Sequence, residues 1–168
     1  MKRYTLGVLV RNQYGVLNRV TSMFRRRQFN IAALAVSETE SPAYSRITVC
    51  FDGEEPNKEQ LISQLYKLPD VCFIRELEPE TSLSAELLLI KMENNPATRE
   101  DIRAAALAFD AKTVEYSRNS IVFQLTDATR RIDEFIHLMQ DFKILEICRT
   151  GPISMEKGSS TIRNTTKL

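Results

Sequence analysis

Apolar residues at Val16, Leu17, Val20, Met23 and Phe24 follow Gly15 at the spacing that puts one stripe on a helix, so a helix is expected over 15–27. The mostly apolar run 4–10 before it and the segment 30–37 after it read as strands. A further strand is expected over 44–51, where Ile47, Val49 and Phe51 alternate with Arg46, Thr48 and Cys50 at the period of a half-buried sheet. A second helical stripe, Leu61, Ile62, Leu65 and Leu68, starts after Pro56, a residue suited to a first turn, and Pro69 blocks its continuation. Residues 71–77 close this unit as a strand.

The same order returns in the second half of the chain. A strand is expected over 85–92, and Thr98-Arg99-Glu100-Asp101 resembles a capping box opening a helix that reaches Phe109. Strands over 112–116 and 120–125 meet across Ser117-Arg118-Asn119, a hairpin-length turn. A helix starting near Asp127 carries the stripe Ile132, Phe135, Ile136 and Met139, and a strand over 142–148 ends at Gly151-Pro152. Two βαββαβ units in series, each an antiparallel sheet backed by two helices, make the fold class α+β with tandem ferredoxin-like domains. Their expected bounds are 1–78 and 84–152. The remaining 153–168, rich in Ser, Thr, Gly and Asn, has little to bury and is expected to be a mobile tail.

Composition narrows the partners. The 168 residues are 43% hydrophobic with a net charge of +1, which offers no broad field for nucleic acid or an anionic membrane. The strand 46–51 also lacks the aromatic pattern of an RNA-binding sheet. Cys50, Cys72 and Cys148 are far apart and His137 is the single histidine, so neither a zinc site nor a disulfide framework is expected. No segment has the length of a membrane span or the form of a signal peptide, and a cytoplasmic protein with unpaired thiols buried in strands is the expectation.

No set of side chains assembles into catalytic chemistry: there is no nucleophile with a base, no paired carboxylates and no metal-ligand cluster. His137 reads as a partly exposed structural residue, and Arg25, Arg26 and Arg27 complement the C-terminal end of a helix dipole. The Gly15 turn is different. Glycine supplies no side-chain oxygen to the first backbone N–H groups of the helix, and a carboxylate or phosphate can be received there, with the carboxamides of Asn12 and Asn30 nearby. Taken as residues alone, these support two readings: an amino-acid sensor site, or a tight turn with Asn30 starting a strand.

The same residues carry a resemblance. Asn12 with Gly15-Val16-Leu17-Asn18-Arg19-Val20, the run Arg27-Gln28-Phe29-Asn30-Ile31-Ala32-Ala33-Leu34, Ser45-Arg46-Ile47-Thr48, Gln64-Leu65-Tyr66-Lys67-Leu68 and Arg149-Thr150-Gly151 span nearly the whole chain. Together they resemble the small regulatory subunit of acetolactate synthase (acetohydroxyacid synthase), whose first part is an ACT domain, an amino-acid-binding regulatory module. The resemblance implies a homodimer joined edge to edge through its ACT domains. It also implies that valine, or a related branched-chain amino acid, binds at their interface. The partner would be a separate catalytic large subunit carrying thiamine diphosphate, magnesium and FAD, with this chain holding no cofactor of its own. The small chain would stimulate that enzyme and confer feedback inhibition on branched-chain amino-acid synthesis. Asn12, Gly15 and Asn30 match the family's effector positions, and Val16, Leu17 and Ile31 are their neighbours. Gln28 departs from the family's usual glycine, at a helix end where a left-handed backbone is commonly needed. The other class of function is a free-standing ACT-type sensor acting on another enzyme or on transcription, although no helix-turn-helix segment is evident.

Overall fold

The computed structural model describes residues 2–164, which form two compact units: residues up to Leu83 together with those from Ile153, and Ser84–Pro152. The fold is α+β, with each unit a βαββαβ arrangement.

In the first unit the elements are β1 (Lys2–Arg11), α1 (Val16–Arg26), β2 (Ile31–Glu38), β3 (Tyr44–Gly53), α2 (Glu55–Leu65) and β4 (Val71–Glu76). The sheet order is β2-β3-β1-β4 with antiparallel neighbours throughout, which leaves β2 and β4 at the edges. Alternation along β1 sends Tyr4, Leu6, Val8 and Val10 to the helix-covered face, where they meet Val16, Val20 and Phe24 of α1 and Leu61 and Leu65 of α2. Phe24, Phe29 and Phe51 pack edge to face at centroid distances of 5.1–6.5 Å, a preferred aromatic geometry. Beyond α2 the chain turns rather than continuing the helix. The Tyr66 hydroxyl there accepts from the Ile74 N–H at 3.1 Å and donates to the Ile74 carbonyl at 3.2 Å, holding β4 beside the helix end.

α1 ends in the left-handed conformation that glycine most often takes at a helix end, with Gln28 in that place. Gln28 adopts φ 59°, the Phe29 N–H donates to the Phe24 carbonyl, and the Gln28 N–H donates to the Arg25 carbonyl. This left-handed cap satisfies carbonyls that the last turn leaves without partners, at a cost of about 1–2 kcal/mol for a residue with a Cβ.

In the second unit the elements are β5 (Ser82–Glu93), α3 (Arg99–Ala108), β6 (Lys112–Tyr116), β7 (Ser120–Asp127), α4 (Thr129–Met139) and β8 (Ile144–Arg149), and the sheet order β6-β7-β5-β8 repeats that of the first. Its core unites Leu88, Ile90 and Met92 with Ile121, Phe123 and Leu125, beneath Ile102, Ile132, Phe135 and Met139. Thr98 is the N-cap of α3 but makes no side-chain cap bond. The Asn95 carbonyl instead accepts from the first helical N–H, that of Arg99, at 2.9 Å, while its Oδ1 accepts from the Ala97 N–H at 3.0 Å in the preceding turn.

Two expectations are corrected. The cysteines are free, but only Cys50 is buried: Cys148 is exposed, on the edge strand β8. The segment after Pro152 is ordered over its described part, forming β9 (Ile153–Glu156), which pairs with β5 as a fifth strand of that sheet and groups with the first unit. Its apolar and charged residues have partners that lie far away in sequence. Arg46 donates to the Ser154 carbonyl at 2.7 Å, and Arg75 pairs with Glu156 at 2.8 Å. Burial lowers the Arg46 pKa and the nearby Glu156 carboxylate opposes that shift. Gly7 makes room for this segment, since a Cβ there would lie 3.5 Å from Ile162 Cδ1 and only 3.2 Å from Arg46 Nη2. The last residues of the expected tail, 165–168, lie outside the described part.

Candidate functional site: the start of the first helix

Gly15 is the N-cap of α1 with φ 79° and ψ −5°, a left-handed conformation that glycine adopts without steric penalty. The Val16 N–H donates to the Gln13 carbonyl at 3.3 Å and the Arg19 N–H to the Gly15 carbonyl at 3.0 Å. The N–H groups of Leu17 and Asn18, between these two, have no acceptor among the described residues. No acidic side chain occupies this first turn. Donors and the positive helix end therefore face outward together.

Arg19 adds charge at the same place. Its Nε and Nη2 both donate to Asp70 Oδ2, at 3.0 and 2.5 Å, and Asp70 is buried. That grip turns Nη1 back toward the turn, 3.3 Å from where a Gly15 Cβ would lie. Arg19 belongs to the motif read in the sequence, but nothing in the spacing shows that Asp70, from the loop after α2, fixes its direction.

The predicted site residues are not all brought to one surface. Asn12 stands at the turn, but its carboxamide nitrogen donates to Glu38 Oε1 at 3.0 Å and to the Pro42 carbonyl at 2.9 Å, tying the turn to the end of β2 and the loop after it. Val16 is buried in the core, because the helix face that begins with it lies against the sheet, and its part is packing. Leu17 is 41% exposed beside the open N–H groups. Asn30 is exposed just before β2, which begins at Ile31, and Ile31 is half-buried against the core. An open cavity of ≈ 630 Å³ is lined by Asn12, Gln13 and Tyr14.

Residues 6–73 match the family described as the AHAS small subunit-like ACT domain, and residues 85–158 match the one described as the small subunit of acetolactate synthase. A probable acetolactate synthase small subunit of Archaeoglobus fulgidus is 38% identical over 157 residues, covering 94% of this chain and 98% of that protein. The chain belongs to the acetolactate synthase small-subunit family. The Bacillus subtilis small subunit is 38% identical over 160 residues, covering 95% of this chain and 92% of its own length. Among solved structures, the acetolactate synthase small subunit of Thermotoga maritima superposes with a TM-score of 0.87 at 30% identity, covering 95% of this chain and all of that one. The first unit thus contains the ACT domain of a small subunit, and the Gly15 turn lies within it.

Other polar clusters in the two units are closed upon themselves. In the ACT domain, buried Lys58 bonds to Glu55 and, at 2.7 Å, to Glu76, while the Tyr4 hydroxyl donates to Glu55 at 2.8 Å. Burial pulls the Lys58 pKa down, but the two carboxylates outweigh it and leave it raised, while the bond from Lys58 lowers that of Glu55. In the second unit the buried Glu86 carboxylate receives Arg149 Nε at 2.6 Å and the Thr129 hydroxyl at 2.9 Å, and Arg149 also pairs with Asp133 at 2.9 Å. Among the described residues no group of three or more His, Cys, Asp or Glu side chains could hold a metal ion, and no helix is long and apolar enough to cross a membrane.

Proposed function

We propose that this chain is a non-catalytic regulatory subunit that binds valine, or a related branched-chain amino acid, at the start of α1. From there it controls a separate catalytic large subunit of acetolactate synthase. The observation that carries the reading is the convergence at Gly15 of two open N–H groups and the Arg19 guanidinium, with no acid in the turn. An amino acid's carboxylate matches this cradle in charge and size, and Leu17 offers its side chain an apolar contact. Thiamine diphosphate, magnesium and FAD belong, in this reading, to the large subunit, which the small chain stimulates and through which it imposes feedback inhibition.

The site also abuts an edge. Asn12 is bonded to Glu38, the last residue of edge strand β2, and that strand carries Ala32, Ala33, Ala35 and Val36 with no Lys or Pro to discourage pairing. A second copy adding its own β2 across a two-fold axis would bring both effector turns to the joint. Such a homodimer accounts for the bare edge.

Gly15→Asp tests the reading. Its Cβ would approach Arg19 Nη1, and its carboxylate would occupy the cradle and repel another anion, while the left-handed φ adds strain of about 1–2 kcal/mol. Calorimetric titration of valine should show binding to the wild type and none to the variant. Reconstitution with the large subunit should show stimulation by both and valine inhibition only with the wild type. Unchanged inhibition by a folded variant would place the effector elsewhere. A chain that binds valine but neither co-purifies with nor stimulates a large subunit would be a free-standing sensor.

A further inference from the structure

The segment that follows the second unit contacts the connection that holds Asn12. Residues 153–164 lie on the ACT sheet's outer face, held at Arg46 and Arg75 and seated by Ile162 beside Gly7 of β1. Ile162 is 9% exposed, and Leu9 and Thr48, on that same outer face, are 2% and 3% exposed. Next in the chain, Arg163 pairs with Glu40 at 2.9 Å and lies over the Tyr44 ring at 5.4 Å.

Glu40 belongs to the β2–β3 connection that holds Asn12, and Tyr44 is the first residue of β3. That connection is bonded internally: the Thr39 N–H donates to the Tyr44 carbonyl at 3.1 Å, the Tyr44 N–H to the Ser41 carbonyl at 3.0 Å, and the Thr39 hydroxyl to the Ser41 carbonyl at 3.0 Å. Its far side accepts the Asn12 N–H at Ala43 and the Asn12 carboxamide at Pro42. A displacement at Glu40 is therefore carried to Asn12, three residues before Gly15, through a short stiff loop.

We propose that residues 153–164 are a strap that positions the effector turn, with Ile162 as its anchor and Arg163 as its grip on the loop holding Asn12. The proposal rests on the assignment of the effector site to the Gly15 turn. Ile162 and Arg163 do not touch the effector; they act through residues 39–44.

The test uses the full chain, valine titration by calorimetry and amide hydrogen exchange of residues 153–164. Ile162→Asp places a charge against the sheet and should release the strap, seen as faster exchange, with valine affinity falling about tenfold, within the usual span of coupling between sites. Arg163→Glu should weaken valine about two- to fivefold, the range open to a surface ion pair, and Glu40→Lys combined with Arg163→Glu should restore it. Restoration by the charge swap separates positioning from a general loss of stability. A strap that exchanges freely in a chain binding valine as the wild type does would overturn the proposal, as would a double variant no better than Arg163→Glu. Exchange unchanged by Ile162→Asp would overturn the anchoring role of that residue. A wild-type chain that binds no valine would instead overturn the effector site itself.

Discussion

The two units follow one plan, and they differ most where their first helices begin. In each, an asparagine after the first strand is tied to the hairpin connection: the Asn12 N–H donates to the Ala43 carbonyl, and the Asn94 N–H to the Asn119 carbonyl, with Asn94 Nδ2 reaching the Ser117 carbonyl at 2.6 Å. After that they part. α1 starts from a left-handed glycine with no acid in its first turn, and Arg19 adds positive charge, whereas α3 carries Glu100 and Asp101 in its first turn. The arginine of the second unit is also spent internally, Arg99 Nε donating to the buried Asn94 Oδ1 at 2.6 Å. One helix start is open to an anion and the other is neutralised by its own chain.

The edge strands show the same division. Both edges have a register shift, between Ile31 and Ala33 in β2 and between Thr113 and Glu115 in β6, but β6, exposed along its whole length, also carries Lys112 and Glu115, charges that discourage pairing. β2 has small apolar residues and neither Lys nor Pro. The two units thus share one scaffold and differ in a few residues at a helix start and an edge.

Four substitutions put this contrast under strain. The largest effect is expected from Arg149→Ala, which leaves the buried Glu86 carboxylate with the Thr129 hydroxyl alone. The loss should be about 3 kcal/mol, at the low end for breaking a buried pair because the arginine is 34% exposed, and denaturant melts should read it. Valine binding in the first unit should persist. If it fell together with stability, the two units would not be energetically separate.

The corresponding cluster of the ACT domain should appear as a pH dependence. The Glu55 pKa is lowered by folding, so its contribution is present above the unfolded carboxylate value and is lost as pH falls through the folded one. The Lys58 pKa is raised, so its contribution is present below the unfolded lysine value and is lost as pH rises through the folded one. Between about pH 5 and about pH 10 both are in place. Lys58→Met should flatten the alkaline limb of the melting profile and reduce the acid limb. An alkaline limb identical to that of the wild type would show that Lys58 is not its source.

Much of this contrast was legible in the chain and part of it was not. The stripe from Val16 to Phe24, the alternation from Ile47 to Phe51 and the repeated element order gave both sheets, because these signals are local and periodic. Gly15 marked the helix start for the same reason. What Asn12 does depends on Glu38 and Pro42, and the direction of Arg19 depends on Asp70, partners brought near only by folding. The packed segment after Pro152 was missed because its one buried apolar side chain, Ile162, belongs to no periodic stripe, and Arg46, which holds the Ser154 carbonyl, is more than a hundred residues away.

Two smaller effects refine the comparison. α3 ends as α1 does, with Asp110 at φ 55° and the Ala111 N–H donating to the Ala106 carbonyl. Gln28→Gly should relieve the left-handed strain of α1 and stabilise the chain by about 1 kcal/mol, read as a higher melting temperature. A lower melting temperature would mean that the Gln28 side chain contributes more than its backbone costs. Asn18→Glu gives α1 the acidic first turn that α3 already has. It should stabilise the helix by about 0.3–1 kcal/mol while weakening valine binding, opposite signs from one charge. Binding that strengthened would exclude an anionic group of the ligand at this helix start.

The first unit is discontinuous, since the second unit lies between Leu83 and Ile153 of its chain. That has a consequence in time. A ribosome finishes β1 to β4 early, but Ile162, which sits beside Gly7, is made only after the entire second unit, roughly five to fifteen seconds later at ordinary elongation rates. Throughout that interval the outer face beside Gly7 lacks the Ile162 side chain that later lies against it, and the nascent sheet is open to whatever chaperone or neighbouring chain reaches it first.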